Sequence, residues 1–397
     1  MADEIIESAA EFADRIDRIT VEQLREAGSL KWTLYPEALG AWVAEMDFGV
    51  ADVIARSMAD VVRRGLFGYP PLWLVAELRN ATADYCGNHY GWSIDPHEIV
   101  ALPDVLTGFG VAIDRFSRPG SPVIVPTPCY MPFMDLPGAH GRDLIEVPMV
   151  RDSDGWVMDE ARLDAAFVAG GNLLVMCNPH NPIGKVYSRR ELERISAVVD
   201  RHGGRVFADE IHAQLLFDDL VHVPYASINE TAAEHSVTAV AASKAWNLAG
   251  LKCAQLVLTN EVDRRSLHDS GAEIALLGST PGLAASIAAY REGGPWLSNV
   301  IAYLDGNRRV LMEELQLQLP DAGIVAPQGT YLAWIDCRNL PIEGNPQHHF
   351  LRQARVAVTD GSLCGQAGQG FVRVNFATPR PILRDMLDRL GGAVRAG

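Results

Sequence analysis

Short apolar runs rich in β-branched residues recur through the middle of the chain, and they lack strict alternation with polar residues. The runs are 123–126 (VIVP), 172–177 (NLLVMC), 205–210 (RVFADE), 237–241 (VTAVA) and 254–259 (AQLVLT). Such runs are typical of strands that are covered on both faces. The pattern therefore predicts five strands of a parallel sheet.

A helix is predicted between two of these strands. Ser188 and Glu191 form a capping-box pattern, and Gly203 ends the segment after His202. Apolar residues follow the cap at helical spacing, namely Leu192, Ile195, Val198 and Val199. Strand, helix and strand in succession form a βαβ unit, and several such units predict an α/β fold.

The C-terminal part has a different pattern. A long helical stretch near 296–318 precedes three strand-like segments, which are 330–336, 355–361 and 370–377. A helix followed by strands that look antiparallel indicates a smaller α+β domain. Because 397 residues exceed one ordinary core, two domains are expected. We predict a large domain over 51–290 and a small one over 291–397, with residues 1–50 packing on the small domain.

Composition narrows the class of protein. A formal net charge of −16 argues against nucleic acid or an anionic membrane surface as a partner, because both require a basic face. The chain has no apolar run near the roughly 18–20 residues that span a bilayer, and its first residues are acidic and polar. We therefore expect a cytoplasmic enzyme.

Cysteine and histidine spacing predicts no metal site. The six cysteines occur singly with no C-x-x-C pair, and no H-E-x-x-H motif is present. We expect the cysteines to be reduced and to pack as small apolar residues.

Three polar clusters follow predicted strands, where ligands of parallel sheets collect. They are Asn178–Gly184, Asp209–His212 and Ser243–Gly250. An amide, a carboxylate and a lysine are therefore expected to converge at the carboxyl edge of the sheet.

This set of side chains has a specific chemical use with pyridoxal 5′-phosphate (PLP). Lys244 can form a Schiff base with the cofactor, whose ring then accepts electrons. Asp209 can keep the ring nitrogen protonated, which strengthens the ring as an electron acceptor. Asn181 can donate to the ring phenolate oxygen, and Tyr130 offers an aromatic face.

The chain resembles fold-type I PLP enzymes of the class I/II aminotransferase superfamily. Within it, the chain looks like the cystathionine β-lyase branch typified by the MalY and PatB C–S lyases. The segments that carry the resemblance are Lys31-Trp32, AEMDF (44–48), FGY (67–69), TPCY (127–130), CNPHNPIGKV (177–186), DEIH (209–212), SKAWNLAGLK (243–252) and FVRVN (371–375). The resemblance implies a large domain with a mostly parallel central sheet and a smaller α+β domain.

The resemblance also implies roles for individual residues. Lys244 is the Schiff-base lysine and moves the proton, and His212 faces the ring phenolate oxygen where many aminotransferases have a tyrosine. Arg373, together with Asn181, binds the substrate α-carboxylate, for which a planar guanidinium is well suited. Tyr69 reaches the phosphate of the neighbouring subunit's cofactor, so the protein is expected to be a homodimer.

The expected phosphate site departs from the superfamily pattern. Ala241 stands where many relatives have a serine, and Lys252 where arginine is frequent. Backbone N–H groups of Val105 and Leu106, at a helix start, are expected to hold the phosphate, with Ser243 and Lys252 sharing the remaining charge.

The leading functional hypothesis is α,β-elimination from cystathionine or another cysteine S-conjugate, which releases a thiol, pyruvate and ammonia. An aminotransferase is the first alternative, since transamination begins identically and uses the same residues. A PLP-binding scaffold that regulates a protein partner is the second. The substrate in the first two cases is a small amino acid.

Overall fold

The computed structural model describes residues 7–153, 155–269 and 277–396. Its α-helices are α1 (Ala9–Asp17), α2 (Val21–Ala27), α3 (Leu30–Thr33), α4 (Asp52–Arg64), α5 (Leu72–Tyr90), α6 (Val105–Arg115), α7 (Pro132–Ala139), α8 (Glu160–Val168), α9 (Arg189–Arg201), α10 (Glu230–His235), α11 (Glu261–Asp269), α12 (Thr280–Glu292), α13 (Gly294–Gln318), α14 (Pro346–His349) and α15 (Arg380–Arg395). Short 3-10 helices lie at Pro96–Glu98, Tyr225–Ser227, Ala249–Leu251, Gly361–Cys364 and Gln366–Gly368, and a π-helix at Phe350–Ala354.

The strands are β1 (Leu39–Gly40), β2 (Ile99–Leu102), β3 (Val123–Thr127), β4 (Leu144–Pro148), β5 (Val150–Asp152), β6 (Gly155–Val157), β7 (Leu173–Cys177), β8 (Arg205–Asp209), β9 (Ser236–Val240), β10 (Ala254–Val257), β11 (Gly323–Ile324), β12 (Leu332–Asp336), β13 (Val356–Ala357), β14 (Thr359–Asp360) and β15 (Phe371–Asn375). A seven-stranded sheet has the order β2-β10-β9-β8-β7-β3-β4. All five strand predictions fall in this sheet, which confirms the α/β class.

One strand of the sheet corrects the sequence prediction. Strand β10 runs antiparallel to both of its neighbours, β9 and β2, whereas β9, β8, β7, β3 and β4 are parallel. The prediction that the AQLVLT run belongs to a parallel strand was therefore wrong in direction. A strand that is buried on both faces has the same apolar composition whichever way it runs.

Helices cover both faces of this sheet, and alternate residues of the strands face opposite sides. In β8, Val206 and Ala208 pack with Ile195 of α9, while Phe207 packs with Phe109 of α6 on the other face. The helix α9 begins after Ser188, whose hydroxyl accepts from the Glu191 N–H in a complete capping box. Two apolar layers thus fix the sheet whose carboxyl edge carries the polar clusters.

The C-terminal part forms an antiparallel sheet of order β11-β12-β15-β14. The single strand predicted over 355–361 is divided at Val358 into β13 and β14. Strand β13 leaves this sheet and pairs in parallel with β1, so Leu39 lies opposite Val356. The N-terminal region therefore contacts the C-terminal region directly, and the domain boundaries themselves stay a prediction.

Among the described helices, none is long and apolar enough to cross a membrane.

Candidate active site

A cavity of about 280 Å³ opens at the carboxyl edge of the seven-stranded sheet. Strand ends supply most of its polar lining, as expected for ligand sites in such sheets. The predicted site residues that line it are Val105, Leu106, Tyr130, Asn181, Asp209, His212, Ser243, Lys244, Lys252 and Arg373. The structure therefore brings together every predicted site residue except Tyr69.

Lys244 lines the cavity, and its amine is partly buried. Its Nζ donates to the Ala44 carbonyl oxygen at 3.0 Å. Burial and the nearby Arg373 cation lower the lysine pKa to about 8, although Glu45 and Asp209 act in the opposite direction. A substantial fraction of the amine is therefore neutral near physiological pH, which suits a nucleophile and proton carrier.

Asp209 ends strand β8 and is buried at 4% exposure. Its Oδ1 accepts from the Ile211 N–H at 3.1 Å, and its Oδ2 lies 3.9 Å from Cys177 Sγ. Burial raises the pKa of Asp209 to about 7, against the effects of the Ile211 N–H and the Lys244 cation. Among the residues that the structure describes, none forms an ion pair with this carboxylate, so a cationic ligand atom would stabilise its charged form.

Arg373 lies in the middle of β15 and is 2% exposed. Its Nη1 donates to Asn181 Oδ1 at 3.1 Å, and its Nη2 donates to the Trp42 carbonyl oxygen at 2.9 Å and to Thr359 Oγ1 at 3.2 Å. Its Nε has no hydrogen-bond partner among the described residues. The guanidinium is therefore fixed in orientation and keeps a donor for a further acceptor.

His212 and Tyr130 supply two aromatic walls. His212 is 2% exposed, and its Nδ1 has no hydrogen-bond partner within the described part of the chain. Burial lowers the pKa of His212 well below its ordinary value, so the ring is neutral. The Tyr130 ring packs edge-on against Phe133, with centroids 5.6 Å apart, and burial raises its pKa.

The opposite end of the cavity is built around the start of α6. Asp104 caps this helix, since its Oδ1 accepts from the Thr107 N–H at 2.8 Å. Its Oδ2 lies 3.0 Å from Lys252 Nζ. This ion pair, which was not predicted from the sequence, places a carboxylate beside the predicted phosphate site at Val105 and Leu106.

Tyr69 does not enter the cavity of its own chain. Its side chain is 98% exposed, between α4 and α5. Nearby apolar side chains are also exposed, and these are Val62, Phe67, Leu72 and Trp73.

Sequence reasoning missed the residues that hold the cavity through backbone atoms. Trp42 and Ala44 accept from Arg373 and Lys244 through their carbonyl oxygens. Every residue has a carbonyl, so no sequence signal marks this role, although Ala44 opens the AEMDF segment. Thr359 and Met131, which also contact Arg373, carry no motif either.

All six cysteines are buried and free of disulfides. Within residues 7–153, 155–269 and 277–396, no group of three or more His, Cys, Asp or Glu residues could hold a metal ion.

The fold and site are shared with known proteins. A family model described as aminotransferase class I and II matches residues 43–390. The chain belongs to this family. It is 37% identical to a cystathionine β-lyase of Corynebacterium glutamicum, over 94% of this chain and 99% of that protein. It is also 30% identical to the cystathionine β-lyase PatB of Bacillus subtilis, over 92% of this chain and 96% of that protein.

A solved structure described as a PLP-dependent β-cystathionase from Corynebacterium diphtheriae has a TM-score of 0.90 to this family member. Its sequence is 39% identical to this chain, and the alignment covers 95% of this chain and 98% of the solved chain. The predicted resemblance to the class I/II superfamily and to its cystathionine β-lyase branch is therefore confirmed, and so is the fold class.

Proposed function

We propose that this protein is a PLP-dependent carbon–sulfur lyase that acts on cystathionine or other cysteine S-conjugates. The observation that carries the proposal is the convergence of three groups in one cavity: the partly buried amine of Lys244, the buried carboxyl group of Asp209 and the buried guanidinium of Arg373. The two relatives described above, from Corynebacterium glutamicum and Bacillus subtilis, are both named cystathionine β-lyases, which supports the same activity.

Two polar groups of the cavity, on His212 and Asp209, are suited to binding PLP. Among the described residues, Nδ1 of buried His212 has no hydrogen-bond partner and the Asp209 carboxyl group forms no ion pair, so a polar ligand would offset the loss of water at both groups. Asp209 would hold the ring nitrogen, Asn181 and His212 the phenolate side, and Tyr130 the ring face. When bound, PLP supplies an electron-accepting ring that stabilises negative charge at the substrate Cα.

Lys244 acts as the proton carrier. Its lowered pKa, about 8, gives it a neutral amine that can take the Cα proton and later return a proton to a leaving group or carbon. The loss of the β-thiolate then leaves a three-carbon product, which hydrolyses to pyruvate and ammonia.

Arg373 binds the substrate α-carboxylate. Its Nη1 already contacts Asn181, so the two residues can present adjacent donors to one carboxylate. This contact fixes the Cα–H bond relative to Lys244, which lowers the cost of orienting the reacting groups.

The phosphate is assigned to the Val105 and Leu106 N–H groups at the start of α6, with Ser243 and Lys252 beside them. We further assign Tyr69 to the phosphate of a partner subunit's cofactor, in a homodimer. The support is its full exposure within an apolar surface, which a second copy would cover. Six free, buried cysteines support a reducing compartment, the cytoplasm.

Pyruvate and thiol release without a keto acid tests the reaction. The PLP-loaded protein is incubated with cystathionine and with a panel of cysteine S-conjugates, and the products are quantified. Stoichiometric thiol and pyruvate are expected. Amino transfer that depends on an added keto acid, without pyruvate release, would instead assign the protein to the aminotransferases.

A further inference from the structure

Two motifs outside the cavity meet in one buried cluster. The Lys31 Nζ lies 2.8 Å from Asp47 Oδ2, and the two side chains are 0% and 3% exposed. The Trp32 indole N–H donates to Asp47 Oδ1 at 2.8 Å. Both oxygens of this carboxylate therefore have a buried donor. We call Lys31, Trp32 and Asp47 the N-terminal lock.

The ammonium of the lock is fully satisfied. Besides Asp47, Lys31 Nζ donates to the carbonyl oxygens of Ala377 at 3.2 Å and Glu45 at 3.4 Å. Three acceptors thus meet the three donors of one ammonium. Ala377 follows β15, and its carbonyl oxygen also accepts from the Asp47 N–H at 3.1 Å. The lock therefore joins the N-terminal region to the end of the strand that carries Arg373.

The residues Trp42–Asp47, which we call the strap, run from the cavity to the lock. The Trp42 indole N–H donates to the Lys31 carbonyl oxygen at 3.2 Å. The Trp42 carbonyl oxygen in turn accepts from Arg373 Nη2 at 2.9 Å, and from Thr359 Oγ1 at 2.6 Å. Two hydrogen bonds therefore connect Lys31 to the guanidinium.

Two asparagines hold the strap between its ends. Asn375 Nδ2 donates to the carbonyl oxygens of Val43 at 2.6 Å and Glu45 at 2.7 Å. Asn247 pairs with both backbone groups of Met46 at 3.0 Å. These asparagines hold the middle of the strap, and Asp47, which belongs to both the strap and the lock, ties the end of the strap to Lys31 and Trp32.

Stability alone does not account for the lock. A buried ion pair seldom adds net stability over apolar residues of the same size, because removing two charges from water costs about as much as their attraction returns. Such a pair can instead select one arrangement of the chain. Here the arrangement selected includes the carbonyl that orients Arg373.

We propose that the N-terminal lock positions the strap and, through the Trp42 carbonyl, sets the orientation in which Arg373 binds a substrate carboxylate. The inference rests on the proposed function, since it assumes that Arg373 binds this group. Lys31, Trp32 and Asp47 are positioning residues and do not touch the substrate.

The mildest test is Trp32→Phe, which removes one hydrogen bond to Asp47 and keeps the ion pair. We expect the KM for a cysteine S-conjugate and the Kd for propionate to rise about fivefold, while kcat and the Kd for PLP change by less than about twofold. Propionate reports on carboxylate binding alone, and its Kd is read from the absorbance of the bound cofactor.

The stronger test is the double variant Lys31→Met/Asp47→Asn, which removes both charges and leaves neither unpaired. We expect a rise in the propionate Kd of about tenfold or more. Asp263→Asn is the matched control. It breaks the ion pair with Arg205 at the start of β8, the end of that strand opposite to Asp209. The melting temperatures of all variants are measured in parallel.

The outcomes separate the two proposals. Loss of propionate affinity in the lock variants, but not in Asp263→Asn, supports the inference. Unchanged propionate affinity in both lock variants, or an equal loss in the control, overturns it. Absence of pyruvate release from the wild-type protein refutes the lyase activity, while the propionate titration still tests the lock.

Discussion

The two ends of the active-site cavity are built in different ways. At one end Arg373 is 2% exposed and donates to three fixed oxygens, those of Asn181, Trp42 and Thr359. At the other end Lys252 pairs with Asp104, and their side chains are 61% and 36% exposed. The chain therefore fixes by itself the end proposed for the substrate carboxylate, here called the carboxylate end, and leaves open to solvent the end proposed for the cofactor phosphate, here called the phosphate end.

The chemistry of the two cations explains this difference. A guanidinium is planar and weakly hydrated, so it can be buried among acceptors that fix its plane. An ammonium on a flexible stem, exposed to water, contributes little orientation, and its ion pair is screened. The comparison teaches that the guanidinium proposed to orient the substrate is fixed before any ligand arrives, whereas the ammonium proposed to bind the phosphate can rearrange.

The largest effect is expected from Lys244→Ala, because this change removes the amine that is proposed both to bind the cofactor covalently and to carry the proton. Pyruvate release should fall by a factor of about 1,000 or more. Borohydride reduction of the PLP-loaded wild type should fix the cofactor on residue 244, and the variant should show no such label by peptide mass spectrometry. Lys185→Ala serves as the control, since Lys185 pairs with Glu191 away from the cavity. Labelling at another lysine in the wild type would refute the assignment.

The second effect tests the carboxylate end. Arg373→Lys keeps the charge but loses the fork that contacts Asn181 and Trp42, so kcat/KM should fall about 100-fold. Steady-state kinetics with a cysteine S-conjugate measure the change, and most of it should appear in KM. Arg338→Lys, on an exposed side chain paired with Asp336, is the control. A similar kcat/KM in both variants would show that Arg373 does not bind substrate.

The third effect concerns Asp209, between the two ends of the cavity, and it is a pH dependence of the free energy of unfolding. In the PLP-free protein, burial raises the pKa of Asp209 from 3.8 to about 7. Between about pH 4 and about pH 7 the folded state therefore keeps a proton that the unfolded state releases, so stability falls as the pH rises. Asp209→Asn should remove this loss, which we expect to be about 1–3 kcal/mol.

Urea unfolding of PLP-free wild type and Asp209→Asn, at about pH 5 and about pH 7, measures this pH dependence. Lys244→Met is a useful companion, because burial lowers that pKa from 10.5 to about 8. Its contribution has the opposite sign and lies at higher pH, where stability rises from about pH 8 to about pH 10. Parallel curves for wild type and Asp209→Asn over the acidic range would contradict the raised carboxyl pKa.

The smallest effect is expected at the phosphate end. Asp104→Asn keeps the helix cap, since asparagine caps as well as aspartate, but removes a negative charge beside the expected phosphate. The Kd for PLP should fall about threefold, more at low salt than at high salt, while the KM for substrate stays the same. Fluorescence titration with PLP measures this. Weaker PLP binding by the variant would mean that Asp104 supports the site.

The rule that ligands collect at strand ends was sufficient to predict the convergence of Asn181, Asp209 and Lys244. Each side chain has a distinctive chemistry, and each follows a recognisable apolar run. The direction of β10 could not be predicted in the same way, because its buried pattern is independent of direction.

The supporting contacts of the site were beyond sequence reasoning for a different reason. The partners of Lys244 and Arg373 include the carbonyl oxygens of Ala44 and Trp42, which are about 200 and about 330 residues away along the chain. Backbone acceptors carry no side-chain signature. Asp104 was overlooked because an aspartate before a helix is first of all a cap, and its second oxygen was free to take another role.

The antiparallel direction of strand β10 affects which residues line the cavity. Because it enters the sheet at the edge where β9 leaves it, the chain between Val240 and Ala254 never crosses to the far side. This short connecting segment therefore places both Lys244 and Lys252 in the same cavity. An insertion in this segment would separate the Lys244 amine from the Lys252 amine while leaving the sheet intact, so the length of the segment sets the spacing between these two groups.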